Sequence, residues 1–320
     1  MIAGAAALSG VSPQLVFPTS VEIVHVVVSV TDEAGRPVPG LKAADFTVKE
    51  DGKRREVTTV AACADFAAGT GSECSVDLVL LLDTSRSMWA ILDDARDAAV
   101  QFMKEVPAAH TRNIVAFDSR IRAHPVDQND PAVILDKALG NEGGGGGTRL
   151  YDAIFLGIRR FSRDVARRPV LVAVTDGEDT SDMQPGGGRF GRFAPRSEPG
   201  EKRPHRSVKD TSSALQQAGV AFYAISFAKN LGAFRNRAEH GRDTLQSMAA
   251  ATGGLVVDGE AADLTSQFAR IREDVTTQYV LGFVPGSSVM GKTHTLQVGL
   301  ASKVAKVRHP LAYEAKPRRQ

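Results

Sequence analysis

Val76-Asp77-Leu78-Val79-Leu80-Leu81-Leu82-Asp83-Thr84-Ser85-Arg86-Ser87 decides how this chain folds. Its first part is apolar apart from Asp77, a run that suits a central parallel strand covered on both faces. Asp83, Ser85 and Ser87 then follow at alternate positions. In an open α/β sheet, ligands bind beyond the carboxyl ends of the strands. A carboxylate and two hydroxyls converging there, with no sulfur or imidazole beside them, suit a hard cation such as Mg²⁺. Taken alone, Asp and Ser at a strand-to-helix turn serve equally well as turn and capping residues.

Two further segments place oxygen donors in equivalent surroundings. Thr148 follows the run Gly143 to Gly147 and precedes the helical pattern Leu150-Tyr151-Asp152-Ala153-Ile154. Asp176 ends a second apolar strand, Val170 to Thr175, and is followed by Gly177. The glycine run tolerates unusual dihedrals and lets the Thr148 loop approach a cation closely.

The chain order Asp-x-Ser-x-Ser, Thr, Asp, each in its strand-end or loop context, resembles the von Willebrand factor type A (VWA) domain and its metal-ion-dependent adhesion site, or MIDAS. The resemblance implies Ser85, Ser87 and Thr148 as direct ligands, with Asp83 and Asp176 acting largely through bound waters. It implies Mg²⁺, with Mn²⁺ or Ca²⁺ able to take its place. One coordination position is left for an Asp or Glu of a protein partner, and the role is binding rather than catalysis. It also implies that the last helix of the domain shifts when ligand binds. Arg86 departs from the small residue often found between the two serines. Arg86, Glu178 and Asp179 form the expected partner rim, although solvated surface residues of these types are common.

Around this unit the text is β-like. Val24, Val26, Val28 and Val30 alternate, and Phe46-Thr47-Val48 runs into Asp51-Gly52, a hairpin signal. Arg55 to Val60 is expected as the return strand. After the α/β unit, Gln278 to Val284 and Thr295 to Leu300 read as strands, and Lys303 to Arg308 as a third. Strands flanking a domain on both sides can pair with each other. The expected fold is therefore a Rossmann-like, doubly wound, mostly parallel α/β sheet inserted in a small β-sandwich-like domain built from both termini. The expected boundaries are a leader or tail at 1–20, platform strands at 21–62, a linker at 63–74, the VWA unit at 75–277 and further platform strands at 278–315. The order of segments, from Asp45-to-Gly52 to Tyr279-to-Pro285, is similar to a bacterial, acidobacterial-type VWA-related family.

The bulk numbers agree with a globular protein: 320 residues, 42% hydrophobic and 24% charged. A net charge of +2 gives no lean towards nucleic acid. No stretch reaches the ~18 apolar residues of a membrane span. Met1 to Leu8 is small and apolar, with Ala5-Ala6-Ala7 in a cleavage-like pattern but no basic flank, and reads as a truncated signal peptide. That favours a secreted or periplasmic protein over a cytoplasmic one. The only two cysteines, Cys63 and Cys74, are either a disulfide that pinches the linker or two free thiols.

Other chemistry finds less support. Gly286-Ser287-Ser288-Val289-Met290-Gly291-Lys292-Thr293 fits the phosphate-loop pattern, but the residues after Thr293 alternate as a strand, so a β-hairpin turn is expected in place of a nucleotide site. A Mg²⁺-dependent phosphohydrolase is the enzymatic alternative, yet Ser85 stands where a second catalytic acid would be needed. No Gly-x-Ser-x-Gly elbow or His-Glu-x-x-His site is present. A scaffold subunit of an exported assembly is the structural alternative, although such a role would not require all five donor positions. The Gly/Pro-rich, basic stretch from Gln184 to Arg206 is either a disordered insertion or an arm that selects acidic partners.

Overall fold

The computed structural model describes residues 23–65, 74–106, 109–126, 130–140, 147–161, 167–180, 206–227, 235–286, 291–301 and 305–315. The leader at 1–20, glycines 143–146, most of the basic stretch from Gln184 onward and Ser287 to Met290 lie outside them.

A six-stranded sheet forms the centre. In chain order its strands are β5 (Val76–Asp83), β6 (Ala109–Phe117), β7 (Ile121–Pro125), β8 (Arg168–Thr175), β9 (Ala221–Ser226) and β10 (Val256–Asp258). The spatial order is β10-β9-β8-β5-β6-β7, parallel throughout except for β7 at one edge. Every residue of β5 is buried. Leu78, Leu80 and Leu82 enter one core with α1 (Leu92–Glu105), α2 (Pro131–Leu139) and α6 (Leu264–Thr276). Val79 and Leu81 enter the other with α3 (Leu150–Ile158), α4 (Val208–Ala218) and α5 (Arg235–Thr252). A strand with an apolar residue on both faces at almost every position has nowhere to lie but the middle of such a sandwich.

Local signals set several helix ends. Asp130 caps α2 by accepting from the Ala132 amide, with Pro131 in the first turn. Ser207 and Asp210 form a reciprocal capping box on α4, whose far end stops at Gly219 in the left-handed conformation, φ 70°.

Two four-stranded antiparallel sheets lie outside the central unit. One has the order β13 (Lys306–Arg308), β1 (Val24–Thr31), β11 (Tyr279–Phe283), β4 (Val57–Ala62); the other β14 (Ala312–Glu314), β12 (Thr293–Leu300), β2 (Phe46–Glu50), β3 (Lys53–Arg55). Val26, Val28 and Val30 from the first meet Phe46, Val48, Leu296 and Val298 from the second in a shared core. Strands from before and after the central unit thus pair directly, β1 with β11 and β2 with β12.

Several expectations need correction. The hairpin turn at Asp51-Gly52 forms, with both residues at positive φ (47° and 77°), but its return strand is short. The chain leaves that sheet after Arg55, and β4 joins the opposite sheet. A single strand from Arg55 to Val60 would have left the first sheet without an edge neighbour to β11. The segment before Thr293 is no hairpin either, because β11 and β12 belong to different sheets. Strands β7 and β14 were not expected. Both are short and poorly alternating, and β7 sits at an edge where its side chains are only half-buried.

A buried polar network seals the sandwich against the central unit. Asp274 on α6 accepts from Ser29 Oγ at 3.1 Å, from Tyr223 Oη at 2.8 Å and from Arg308. Gln278 donates to Tyr223 Oη at 2.9 Å and to Ser29 Oγ at 3.2 Å. Arg168 donates to the Cys74 carbonyl at 2.8 Å, to the Val275 carbonyl at 3.2 Å and to the Gln278 side chain. Burial pulls the Arg168 guanidinium down to about 10. Beside Arg168 lies a disulfide between Cys63 and Cys74, with Cα atoms 5.3 Å apart, which staples the end of β4 to the start of β5. The disulfide alternative is therefore the observed one.

Candidate metal centre

The central sheet brings the five expected donors to one end of the molecule. Asp83 is the last residue of β5, and Asp176 directly follows β8, the neighbouring strand. Thr148 lies just before α3, and Ser85 and Ser87 occupy the turn that leads from β5 to α1.

Asp83 is 1% exposed and Asp176 2%. The Asp83 carboxylate accepts from the Ser85 amide at 2.9 Å and from Thr175 Oγ1 at 2.6 Å. Thr175 Oγ1 in turn accepts from the Gly177 amide at 3.0 Å, so one hydroxyl ties β8, its loop and β5 together. Asp176 accepts from the Glu178 amide at 3.0 Å. Ser85 and Ser87 place their hydroxyl oxygens 3.1 Å apart, and Ser85 is buried while Ser87 is exposed. The site is therefore walled by buried donors and open on the Ser87 side.

Thr148 reaches this end through a second tie. Its amide donates to Thr180 Oγ1 at 2.7 Å, and its carbonyl accepts from the Thr180 amide at 2.9 Å. The Thr148 loop and the Asp176 loop are thereby locked to each other. Thr180 and Thr175 are residues that sequence reasoning missed. Nothing in their spacing distinguishes them from ordinary strand-end threonines.

On the other side, Thr84 anchors the β5 turn. Its amide donates to the Phe117 carbonyl at 2.8 Å, and its hydroxyl to Asp118 at 3.0 Å. Asp118, fully buried, is paired with Arg122 at 3.1 Å. That carboxylate is already neutralised, and its role is to hold the loop.

Among the expected rim residues, Arg86 is exposed. Glu178 and Asp179 are half-buried, and Asp179 accepts from the Tyr151 amide at 2.8 Å. An acid on the first turn of α3 is stabilising there because the helix's first amides lack internal partners. Asp179 therefore caps a helix. Arg206, at the end of the basic stretch, lies 3.7 Å over the Phe155 ring and bonds Asp152 at 2.7 Å, both on α3.

One backbone contact braces the Asp176 loop. Gly177 has φ 82°, and a Cβ built on it would come within 2.4 Å of the Gly241 carbonyl. A Cβ on Gly241 would likewise sit 2.4 Å from the Asp176 carbonyl. Two glycines let α5 touch the loop backbone to backbone, a fit invisible in the sequence because the partners are 64 positions apart.

The electrostatics point to a cation. Burial pushes the Asp83 carboxyl up, with the charge of Asp176 as the second cause, to about 8. Among the described residues, no Lys, Arg or His forms an ion pair with either acid. Two buried carboxylates without a basic partner, with the Ser85 hydroxyl beside Asp83 and that of Ser87 next to it, fit a hard divalent cation and no soft metal. Groups of three or more His, Cys, Asp or Glu suited to a metal are absent among the described residues.

Residues 65–188 match the family model of the VWA domain containing CoxE-like protein. No curated protein matches the chain. Among solved structures, the chain is similar to an aerotolerance-related membrane protein from Bacteroides fragilis: 15% identity, 63% of this chain and 98% of that one, TM-score 0.42. It is similar to a von Willebrand factor type A protein from Catenulispora acidiphila: 12% identity, 88% and 76% covered, TM-score 0.44. It is also similar to proximal thread matrix protein 1 from the mussel byssus, solved with a zinc-occupied MIDAS motif: 16% identity, 69% and 48% covered, TM-score 0.43. The chain thus spans about half the length of that last protein.

Proposed function

Since the chain carries a von Willebrand factor type A domain, we propose that it is a non-catalytic, divalent-cation-dependent protein-binding module. Ser85, Ser87 and Thr148 would hold the ion through hydroxyl oxygens, and Asp83 and Asp176 would balance its charge. When bound, the cation offers a coordination position to an Asp or Glu of a partner protein. The observation that carries this reading is the pair of buried carboxylates at the ends of adjacent strands, without a basic partner among the described residues. Mg²⁺ is the ion that an all-oxygen, hydroxyl-rich set suits best, since it keeps several waters and needs few protein carboxylates.

The chain's own residues do three things in this scheme. The Thr84–Asp118–Arg122 cluster and the Thr148–Thr180 bonds fix the loops before any ion arrives. The buried acids supply negative charge where water cannot screen it. The exposed Ser87 and Arg86 leave one side open to a macromolecule. The disulfide supports a place in an oxidising compartment, and no helix among the described residues is long and apolar enough to cross a membrane.

The test is calorimetric titration of the purified chain with Mg²⁺ and Mn²⁺, beside an Asp83→Ala, Ser85→Ala double variant. Saturable binding that the variant loses is expected. Equal heats from both proteins would exclude the site.

A further inference from the structure

The turn that carries Ser87 also carries the chain's only tryptophan. Residues Arg86–Ile91 form a 3₁₀ helix directly after Ser85. Met88 and Ile91, three apart, point inward and are buried in the core shared with α1. At three residues per turn that leaves Trp89 on a different face, and its side chain is 50% exposed. The Arg86 guanidinium lies 6.0 Å from the centre of its ring. A singly exposed apolar residue is ordinary on any surface. This one differs in its company: an exposed metal donor, a cation and a large aromatic ring lie within four consecutive positions, on a turn pinned by two buried side chains. Tryptophan and arginine are the residues that most often dominate binding energy at protein interfaces.

We propose that Trp89 is the apolar anchor of this surface, and that the partner is an acidic segment carrying a bulky apolar side chain next to its metal-bound carboxylate. The inference rests on the cation-dependent reading above and deepens it. Charge complementarity selects the acidic class, because the ion and Arg86 both present positive charge at the opening. The apolar neighbour follows from the ring itself. Half of its side chain faces water, and a partner aliphatic or aromatic group laid on it would remove that surface from solvent. Arg86, 6.0 Å from the ring centre, makes a weak cation–π contact with it, while Met88 and Ile91 fix the backbone that carries it.

The experiment uses the full chain in Mg²⁺ and two blocked peptides of defined composition, Gly-Leu-Asp-Leu-Gly and Gly-Gly-Asp-Gly-Gly. Because Trp89 is the sole tryptophan, its emission reports directly on that position. The leucine peptide should shift the emission to shorter wavelength in Mg²⁺ and leave it unmoved in EDTA. By calorimetry it should bind about tenfold or more tightly than the glycine peptide, the size expected of an interface anchor. Trp89→Ala should erase that preference while binding Mg²⁺ as the parent does, and Trp89→Phe should keep part of it. Equal affinity for the two peptides, or no response to either from a chain that binds Mg²⁺, would overturn the proposal and leave the metal reading intact. Failure of the parent to bind Mg²⁺ would remove both. A Mg²⁺-dependent dimer in sedimentation, abolished by Trp89→Ala, would assign the surface to a second copy of the chain and overturn the peptide partner.

Discussion

Replacing Asp83 by Asn should stabilise the metal-free protein and abolish its response to Mg²⁺. Asparagine keeps the local bonds. Its carbonyl can accept from the Ser85 amide, and its amide can donate to Thr175 Oγ1, which already accepts from Gly177. What disappears is a buried charge beside a second one. The Asp83 carboxyl stands at about 8 in the folded chain against an ordinary 3.8. Between those values the folded chain retains a proton that the unfolded chain has released. The unfolded state therefore gains as pH rises through that window, and the metal-free protein loses stability. Neutral pH lies about three units above the ordinary value of 3.8, all of them inside that window. At 1.36 kcal/mol per unit the cost has a ceiling near ~4 kcal/mol. Urea denaturation in EDTA at pH 5, 6, 7 and 8 measures it. Parent stability should fall across the series by at most ~1.4 kcal/mol per pH unit from this group, the Asn variant should show a flatter profile, and the gap between them should widen with pH. Mg²⁺ at a hundred times the dissociation constant should narrow the gap, adding about 2.7 kcal/mol to the parent and nothing to the variant. A gap independent of pH, or equal stabilisation of both proteins by Mg²⁺, would refute the argument that the two acids form an uncompensated pair awaiting a cation.

Replacing both Cys63 and Cys74 by Ala reopens a loop of 11-residue separation and should cost about 3 kcal/mol by chain entropy, with Mg²⁺ affinity unchanged; denaturant midpoints and calorimetry read the two effects. Gly241→Ala forces a methyl group against the Asp176 carbonyl and should weaken Mg²⁺ binding about tenfold or more while costing roughly 1–3 kcal/mol of stability; an affinity equal to the parent's would show that α5 does not brace the loop. Asp274→Ala strands Arg308 and Tyr223 at the seam between sandwich and central unit and should destabilise by about 3–5 kcal/mol, read as a shift in the denaturant midpoint at constant slope.

The central strand was legible because its composition permits a single environment. Eight consecutive buried positions in β5 and seven more in β8 demand a sheet covered on both faces, and the polar residues that end them must then lie at the sheet's rim. Asp83, Ser85, Ser87 and Asp176 could be placed there from that logic and Thr148 from its glycine run, while their reading as one cation site came from the family resemblance. The paired flanking strands were legible too, since alternation in β1 and β12 marks one apolar face each. Sheet membership was not. Whether β4 returns beside β2 or crosses to β11 is a choice between two surfaces of similar apolar character, and only closure of the sandwich makes it.

The same holds for the site. Local sequence placed the candidate donors, because the apolar strands and the glycine run beside them mark where the sheet ends. Tertiary structure alone decided what braces and balances them: Thr175 and Thr180 as ties between loops, Asp118 neutralised by Arg122, Asp179 spent on a helix end, Gly241 meeting Gly177 across 64 positions, and Trp89 turned outward by the burial of Met88 and Ile91. The ties through Thr175, Thr180, Asp179 and Gly241 depend on distances between segments remote in the chain. Hydrogen-bond partners and steric fit at such distances leave no periodic trace along the sequence, whereas hydrophobic burial does.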